Sequence, residues 1–187
     1  MKKVALTELD PRLQKQITAA DQQLKANPQY AVEVLTGILV RNPGCIEVRR
    51  TLRKAQKALH GTKKGLFDGI TGALTSGKIA KSVESDPLAA IAAAEEVLAK
   101  KPIDANANKT IALAAIKLEF HELAAFAYEE LCTNEPTQIQ HFVDLANVWI
   151  AAGENDNALN AADKGLKLFP GNGDLQEAVR KASVNKT

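Results

Sequence analysis

The residues that could support catalysis or metal binding are few and scattered in this chain of 187 residues, which has three histidines and two cysteines. His60, His121 and His141 each stand alone, and none belongs to an HExxH motif, which sets two zinc-binding histidines one helical turn apart. Cys45 and Cys132 are far apart and form no CxxC pair, so we predict buried, reduced thiols. We expect neither a metal nor a cofactor.

Two further patterns also fall short of a catalytic site. Residues 69–78, GITGALTSGK, contain Gly72 and Gly77 but do not combine the spacing with the Gly-Lys-Ser/Thr ending of the P-loop motif GxxxxGK[ST], which cradles phosphates. The acid pairs Glu95-Glu96 and Glu129-Glu130 are expected on exposed helix faces, as ordinary surface residues. Because no nucleophile, base or metal cluster emerges, we predict that the protein is not an enzyme.

The composition predicts helices. The chain is 45% hydrophobic and 25% charged, which is typical of a globular protein, and it has 31 alanines but only 5 Phe, 1 Trp and 2 Tyr. Small side chains favour closely packed helices over sheets built from aromatic and β-branched residues. No apolar run suits a signal peptide or approaches the roughly 18 residues of a membrane span, so we expect a cytoplasmic protein.

A period of 34 residues runs through the second half of the sequence. Pro102, Pro136 and Pro170 keep this spacing, and alanines at 90, 124 and 158 keep it as well. Between the prolines the residues form paired helical patterns, over 104–120 and 121–134, then 137–152 and 154–169. Each proline follows the second helix of a pair, where its fixed φ and missing N–H end a helix. A fixed period of this length predicts a stack of helix pairs.

These units resemble the tetratricopeptide repeat family, a stack of 34-residue helix-turn-helix units. Residues 139–172 match the family pattern best, through Phe142, Leu145, Ala146, Trp149, Gly153, Ala158 and Pro170. Residues 105–138 match it more loosely, through Ile111, Ala112, Ala124, Tyr128 and Pro136, and they carry Glu119 where the family has a turn glycine. Residues 71–104 and 12–45 supply two further copies. The resemblance implies an all-α, right-handed superhelix of antiparallel helix pairs.

The repeats are interrupted in the middle of the chain, because Pro43 and Pro102 are out of register. Five glycines fall between Gly61 and Gly77, a density that disfavours a regular helix. We therefore predict an N-terminal helix pair plus a basic helix over residues 1–60, a Gly-rich linker or irregular helix over 61–84, and an array with a C-terminal capping helix over 85–187. Membrane contact by the Gly-rich segment is not expected, because its apolar face is short and lacks tryptophan.

The resemblance also implies a function, namely binding a peptide or helix of another protein in a concave groove lined by first helices. The family's groove-facing positions fall on two sets of residues in this chain, which we call the predicted groove. They are Asn106, Lys109, Thr110, Leu113 and Ile116, followed by Gln140, Val143, Asp144, Asn147 and Ile150. Leu113 replaces the asparagine of the carboxylate clamp found in some members, so we predict a mixed apolar and polar partner segment rather than a chaperone tail.

The charge is divided unequally along the chain. Residues 1–64 hold 13 Lys and Arg against 5 Asp and Glu, whereas residues 65–187 hold 11 against 17. Within the basic half, a helix predicted over residues 46–60 carries a basic face of Arg49, Arg50, Arg53, Lys54 and Lys57. This face could pair with the acidic array, or it could bind nucleic acid or another anionic surface, which is the alternative function. Self-association through the opposite charges of the two halves is a third hypothesis.

Overall fold

The computed structural model describes residues 2–61 and 81–185. The regular secondary structure of these residues is helical, and there is no strand among them. A short 3-10 helix, Leu6–Glu8, precedes the α-helices. The helices with both ends in the described ranges are α1 Pro11–Gln22, α2 Pro28–Arg41, α3 Ile46–His60, α4 Pro87–Lys100, α5 Ala105–Lys117, α6 His121–Asn134, α7 Ile139–Ala151, α8 Asn155–Leu168 and α9 Gly173–Val184. Residues 81–85 are also helical. The predicted all-α class is confirmed.

Polar caps explain where several helices begin. The side chains of Asp10, Asn27 and Asp86 each accept a hydrogen bond from a backbone N–H two or three residues further along, at 2.7 to 3.1 Å. A proline follows each cap and begins the helix, where its missing N–H costs nothing. Helices α1, α2 and α4 therefore begin with the same sequence pattern, a capping Asp or Asn followed by proline.

Two equivalent turns close the first helices of successive pairs. Gly153 has φ +74°, so the predicted left-handed geometry at this glycine is confirmed. Glu119, 34 positions earlier, also lies in the left-handed region with φ +54°. This conformation costs a residue with a side chain about 1 kcal/mol or more. The backbone thus keeps the repeat geometry even where the sequence departs from glycine.

Helices α4 to α9, which we call the array, pack in chain order, each against the next. Their shared core is built around Ile111, Leu123, Phe126 and Leu131. The periodic alanines at 90, 124 and 158 are buried in helix contacts, which agrees with their predicted role in close packing. α9 also packs against α7, so the last helix continues the stack.

Helices α1 to α3, together with residues 2–10, form a second unit, which we call the N-terminal unit. Its apolar cluster, including Ile17, Leu35, Val48 and Leu52, is distinct from that of the array. Helix α3 links the two, because its Ile46 belongs to the array cluster and the helix contacts α4 and α6. Most of the predicted Gly-rich segment, residues 62–80, lies outside the described residues.

Candidate functional site

Helix α5 carries the first half of the predicted groove. The helix is fixed at its start by Asp104, whose Oδ1 accepts a hydrogen bond from the Ala107 N–H at 2.8 Å. Lys109 and Ile116 are exposed, and Asn106 and Leu113 are half-buried. Thr110 is only 7% exposed, and its hydroxyl donates to the Asn106 carbonyl at 2.8 Å, so it offers little surface to a partner.

Helix α7 carries the second half. Gln140 and Asn147 are exposed and Ile150 is half-buried, whereas Val143 is only 7% exposed. Asp144 is held in place, because Gln140 Nε2 donates to its Oδ1 at 2.8 Å and the Tyr128 hydroxyl of α6 hydrogen-bonds to it. Burial, followed by the Asp144 charge, raises the pKa of Tyr128, which keeps this phenol protonated and donating.

The predicted groove residues therefore divide into a supporting set and an accessible set. Thr110 and Val143 are buried in the packing, and Asp144 is engaged by its neighbours. The accessible side chains are Asn106, Lys109, Leu113, Ile116, Gln140, Asn147 and Ile150. Both helices pack on α6, which positions them on the same support. This surface combines apolar contact area with amide and ammonium groups that can form hydrogen bonds.

The basic face of α3 points toward the array. Arg49 and Arg53 are only 3% and 2% exposed, and both form ion pairs with Glu95 of α4. The Arg53 side chain also donates to Gln56 Oε1 at 3.1 Å. Burial lowers the pKa of Arg53, while the Glu95 and Glu130 charges act in the opposite direction. These two arginines are structural groups in the contact between the N-terminal unit and the array.

Two further cations of α3, Arg50 and Lys57, form ion pairs with α6. Arg50 Nη2 lies 2.5 Å from Glu129 Oε2, and its guanidinium carbon lies 5.2 Å from the centre of the Phe126 ring, within cation–π range. Lys57 Nζ lies 2.6 Å from Glu130 Oε2. Four of the five residues of the basic face are thus paired with the array, and Lys54 is exposed.

The acidic partners correct one expectation. Glu95, Glu129 and Glu130 were expected on exposed faces, but they are half-buried beneath α3. Their spacing carried a usable signal, because the acid pair Glu95-Glu96 recurs 34 residues later as Glu129-Glu130. Acids at the same repeat position lie on the same side of a stack, so they could have been matched with the basic half. No comparable signal marks Phe126 as the ring under Arg50.

The histidines and cysteines form no catalytic cluster in the described part of the chain. His141 Nε2 lies 3.0 Å from Glu135 Oε2, and His60 is exposed. Burial raises the pKa of the Cys45 thiol and raises that of Cys132 to about 12, so both stay protonated near neutral pH. Across residues 2–61 and 81–185, no group of three or more metal-ligating side chains converges. Over the same residues, no helix is long and apolar enough to cross a bilayer.

No protein-family model matches the chain, and no curated protein matches it significantly in sequence. The fold therefore defines the class. It is an all-α protein whose helices pack consecutively, an arrangement compatible with a helical repeat.

Proposed function

We propose that the chain is a tetratricopeptide-like, right-handed superhelix that acts in the cytoplasm as a non-catalytic scaffold or adaptor. Its array binds a peptide or helical segment of a partner protein along the predicted groove of α5 and α7. The repeat-like residues at 105–138 and 139–172 support the family resemblance, and the consecutive packing of helix pairs agrees with it.

One observation carries the proposal. The ion pairs of α3 run to α4 and α6, the second helices of their pairs, so the N-terminal unit is docked on that side of the array. The accessible groove residues lie on α5 and α7, the first helices. Together they combine the apolar surface of Leu113, Ile116 and Ile150 with amide and ammonium groups, which suits a mixed apolar and polar partner segment.

The alternative, anionic-surface binding through the basic face, has weaker support. Arg49 and Arg53 are buried, and Arg50 and Lys57 form ion pairs with Glu129 and Glu130. Among the five cations only Lys54 is exposed without an ion pair to the array. A single cation gives little phosphate affinity, because such binding depends on the number of cations that contact phosphates.

The test is quantitative capture of crosslinked partners from the native cell. The groove variant combines Ile116→Asp with Asn147→Ala, since both side chains are exposed and their replacement spares the core. The matched control is Val97→Asp on α4, because Val97 is 43% exposed and lies on a second helix. We expect the groove variant to lose its partner and the control to keep it. If the unsubstituted chain, the groove variant and the control capture the partner equally, the predicted groove is not the binding site.

Salt separates this function from the alternative. Binding dominated by phosphate contacts collapses between low and moderate salt, whereas binding through Leu113, Ile116 and Ile150 persists. We expect capture to survive at moderate salt and to be unchanged by Lys54→Glu. Loss of capture at moderate salt and also in Lys54→Glu would favour binding through the basic face.

A further inference from the structure

A cleft of about 370 Å³ lies between the N-terminal unit and the array, away from the predicted groove. Its walls come from α2, α3 and α4 and are mainly apolar. They include Leu39, Val40, Leu52, Leu88, Ile91 and Ala92. Val40 and Leu88 are 76% and 52% exposed, so the apolar walls extend to solvent. Small-molecule sites have this size and polarity and occur preferentially between structural units.

One side of the cleft is charged. Arg49, Gln56 and Glu95 line it together. Arg49 is almost fully buried, and its guanidinium pairs with Glu95 and donates to the Pro43 carbonyl at 3.1 Å. Within the described residues its Nε–H has no acceptor. A buried donor without an acceptor is costly and marks a place where a further group is missing.

Two buried arginines share one carboxylate at this wall. Arg49 and Arg53 are both buried and both pair with Glu95, and the Glu130 charge also acts on Arg53. The Nε–H of Arg53 also lacks an acceptor within the described residues. Glu96 lines the cleft too, but it is exposed, so solvent screens its charge. Among the lining residues the cation is Arg49, which shares Glu95 with Arg53 instead of having a carboxylate of its own.

We propose that the cleft binds a free medium-chain carboxylate. The aliphatic chain lies between α2 and α4, against Leu39, Leu88 and Ile91, and the carboxylate sits at Arg49. There it accepts a hydrogen bond from the unused Nε–H of Arg49 and gives this arginine a carboxylate that is not shared with Arg53. A neutral head group supplies no charge, and a cationic head group is repelled by Arg49.

Calorimetric titration of the full chain with decanoate, kept below its micelle concentration, tests the proposal. Decanol and decyltrimethylammonium are the matched probes, because they share the chain and change only the head. We expect decanoate to bind at least about tenfold more tightly than decanol, as expected for hydrogen bonds to a charged group. Octanoate should bind about tenfold more weakly than decanoate, since it buries two fewer methylenes.

Two variants locate the site. Ala92→Phe fills the cleft from an exposed position, and Ala93→Phe is its control, because Ala93 is exposed on the same helix but is not part of the lining. Only Ala92→Phe should abolish decanoate binding. Gln56→Glu keeps the acceptor for Arg53 and places a carboxylate in the head-group region. It should weaken decanoate at least about tenfold and leave decanol unchanged.

Each contrary result overturns the proposal. Equal affinity for decanoate and decanol, with no effect of Gln56→Glu, removes the anion site. Binding that survives Ala92→Phe, or that Ala93→Phe weakens equally, places the ligand elsewhere. If decanoate does not bind to the folded chain, another part of the protein or a partner protein fills the cleft.

Discussion

Glu119 and Gly153 show how a single residue can depart from a repeat while the backbone keeps its geometry. Both end the first helix of a pair, and both have positive φ. Glycine adopts this region freely, whereas a β-carbon is crowded there. Packing around α5 and α6 fixes the turn, so Glu119 adopts a conformation that its own preference opposes.

Substitutions at this turn position should therefore change stability in opposite directions in the two turns. Glu119→Gly should raise the free energy of unfolding by about 0.5 to 1 kcal/mol, because the relief of crowding exceeds the added entropy of the unfolded chain. Gly153→Ala should lower it by about 1 kcal/mol or more for the converse reason. Urea unfolding followed by circular dichroism measures both. A loss of stability in Glu119→Gly would show that the turn tolerates glutamate without strain.

Two helical glycines make a second contrast. A β-carbon on Gly165 would lie 2.8 Å from Leu175 Cδ1 and 2.9 Å from Phe142 Cβ, whereas one on Gly37 would meet nothing within 4 Å. Gly165→Ala should cost about 1 to 3 kcal/mol through overpacking, despite its better helix propensity. Gly37→Ala should gain about 0.5 to 1 kcal/mol. Thermal unfolding of both variants checks the contrast, and a stabilised Gly165→Ala would mean that α8 and α9 move apart at little cost.

Helix α3 is the element on which the sequence was least informative. Val48, Leu52 and Ala55 recur at helical spacing, and all three are buried. The opposite face was expected to be basic and either solvated, paired or ligand-binding. The structure buries Arg49 and Arg53 within it. Helical periodicity identifies one apolar face, but it carries no information about carboxylates that approach from another part of the chain.

The carboxylate of Glu95 should therefore matter far more than its neighbour. Glu95→Gln removes the carboxylate that forms ion pairs with two buried guanidinium groups, and it should lower the free energy of unfolding by about 2 to 4 kcal/mol. Glu96→Gln changes the same net charge at an exposed site and should cost less than about 0.5 kcal/mol. Chemical denaturation of the two variants measures the difference. Similar stabilities would mean that solvent reaches the Arg49 and Arg53 side chains.

At the scale of the whole molecule, the opposite charges of the two halves are partly paired within the chain. The excess positive charge of the first 64 residues faces acids of the array, through Arg50 with Glu129, Lys57 with Glu130 and also Lys3 with Glu122 at 3.3 Å. The charge division left open pairing with the array or an external anionic partner, and in the structure these cations pair with the array. Each exposed pair contributes little by itself, about 0.2 to 1 kcal/mol.

Salt should weaken this contact. In urea, raising NaCl to about 1 M shortens the screening length to about 3 Å and should lower the free energy of unfolding by about 1 kcal/mol or more. A triple variant, Glu122→Gln, Glu129→Gln and Glu130→Gln, should lose most of this dependence. The control Asp21→Asn, Glu96→Gln and Asp163→Asn removes the same charge from exposed sites and should keep it. Identical salt curves for the two triple variants would contradict an ionic contact.

The sequence predicted the all-α class, the turn at Gly153 and the buried alanines, because each depends on local spacing. It did not predict which groove positions would be buried. Thr110 and Val143 lie on the predicted face, yet neighbouring helices cover them. The charge division allowed α3 to pair with the array, but it did not show which acids of α4 and α6 would meet which cations, because those acids lie far along the chain. Periodicity thus identified the units, and only tertiary contacts showed how they join.

The two separate apolar clusters also bear on how the protein resists force. Clusters that share only a helix can unravel independently when the chain is pulled from its ends. Ion pairs act over a short distance, so the contact between the two units ruptures after a small extension. Under tension in a laser trap the molecule should therefore lengthen in two steps, whereas a single continuous core would release its whole length at once.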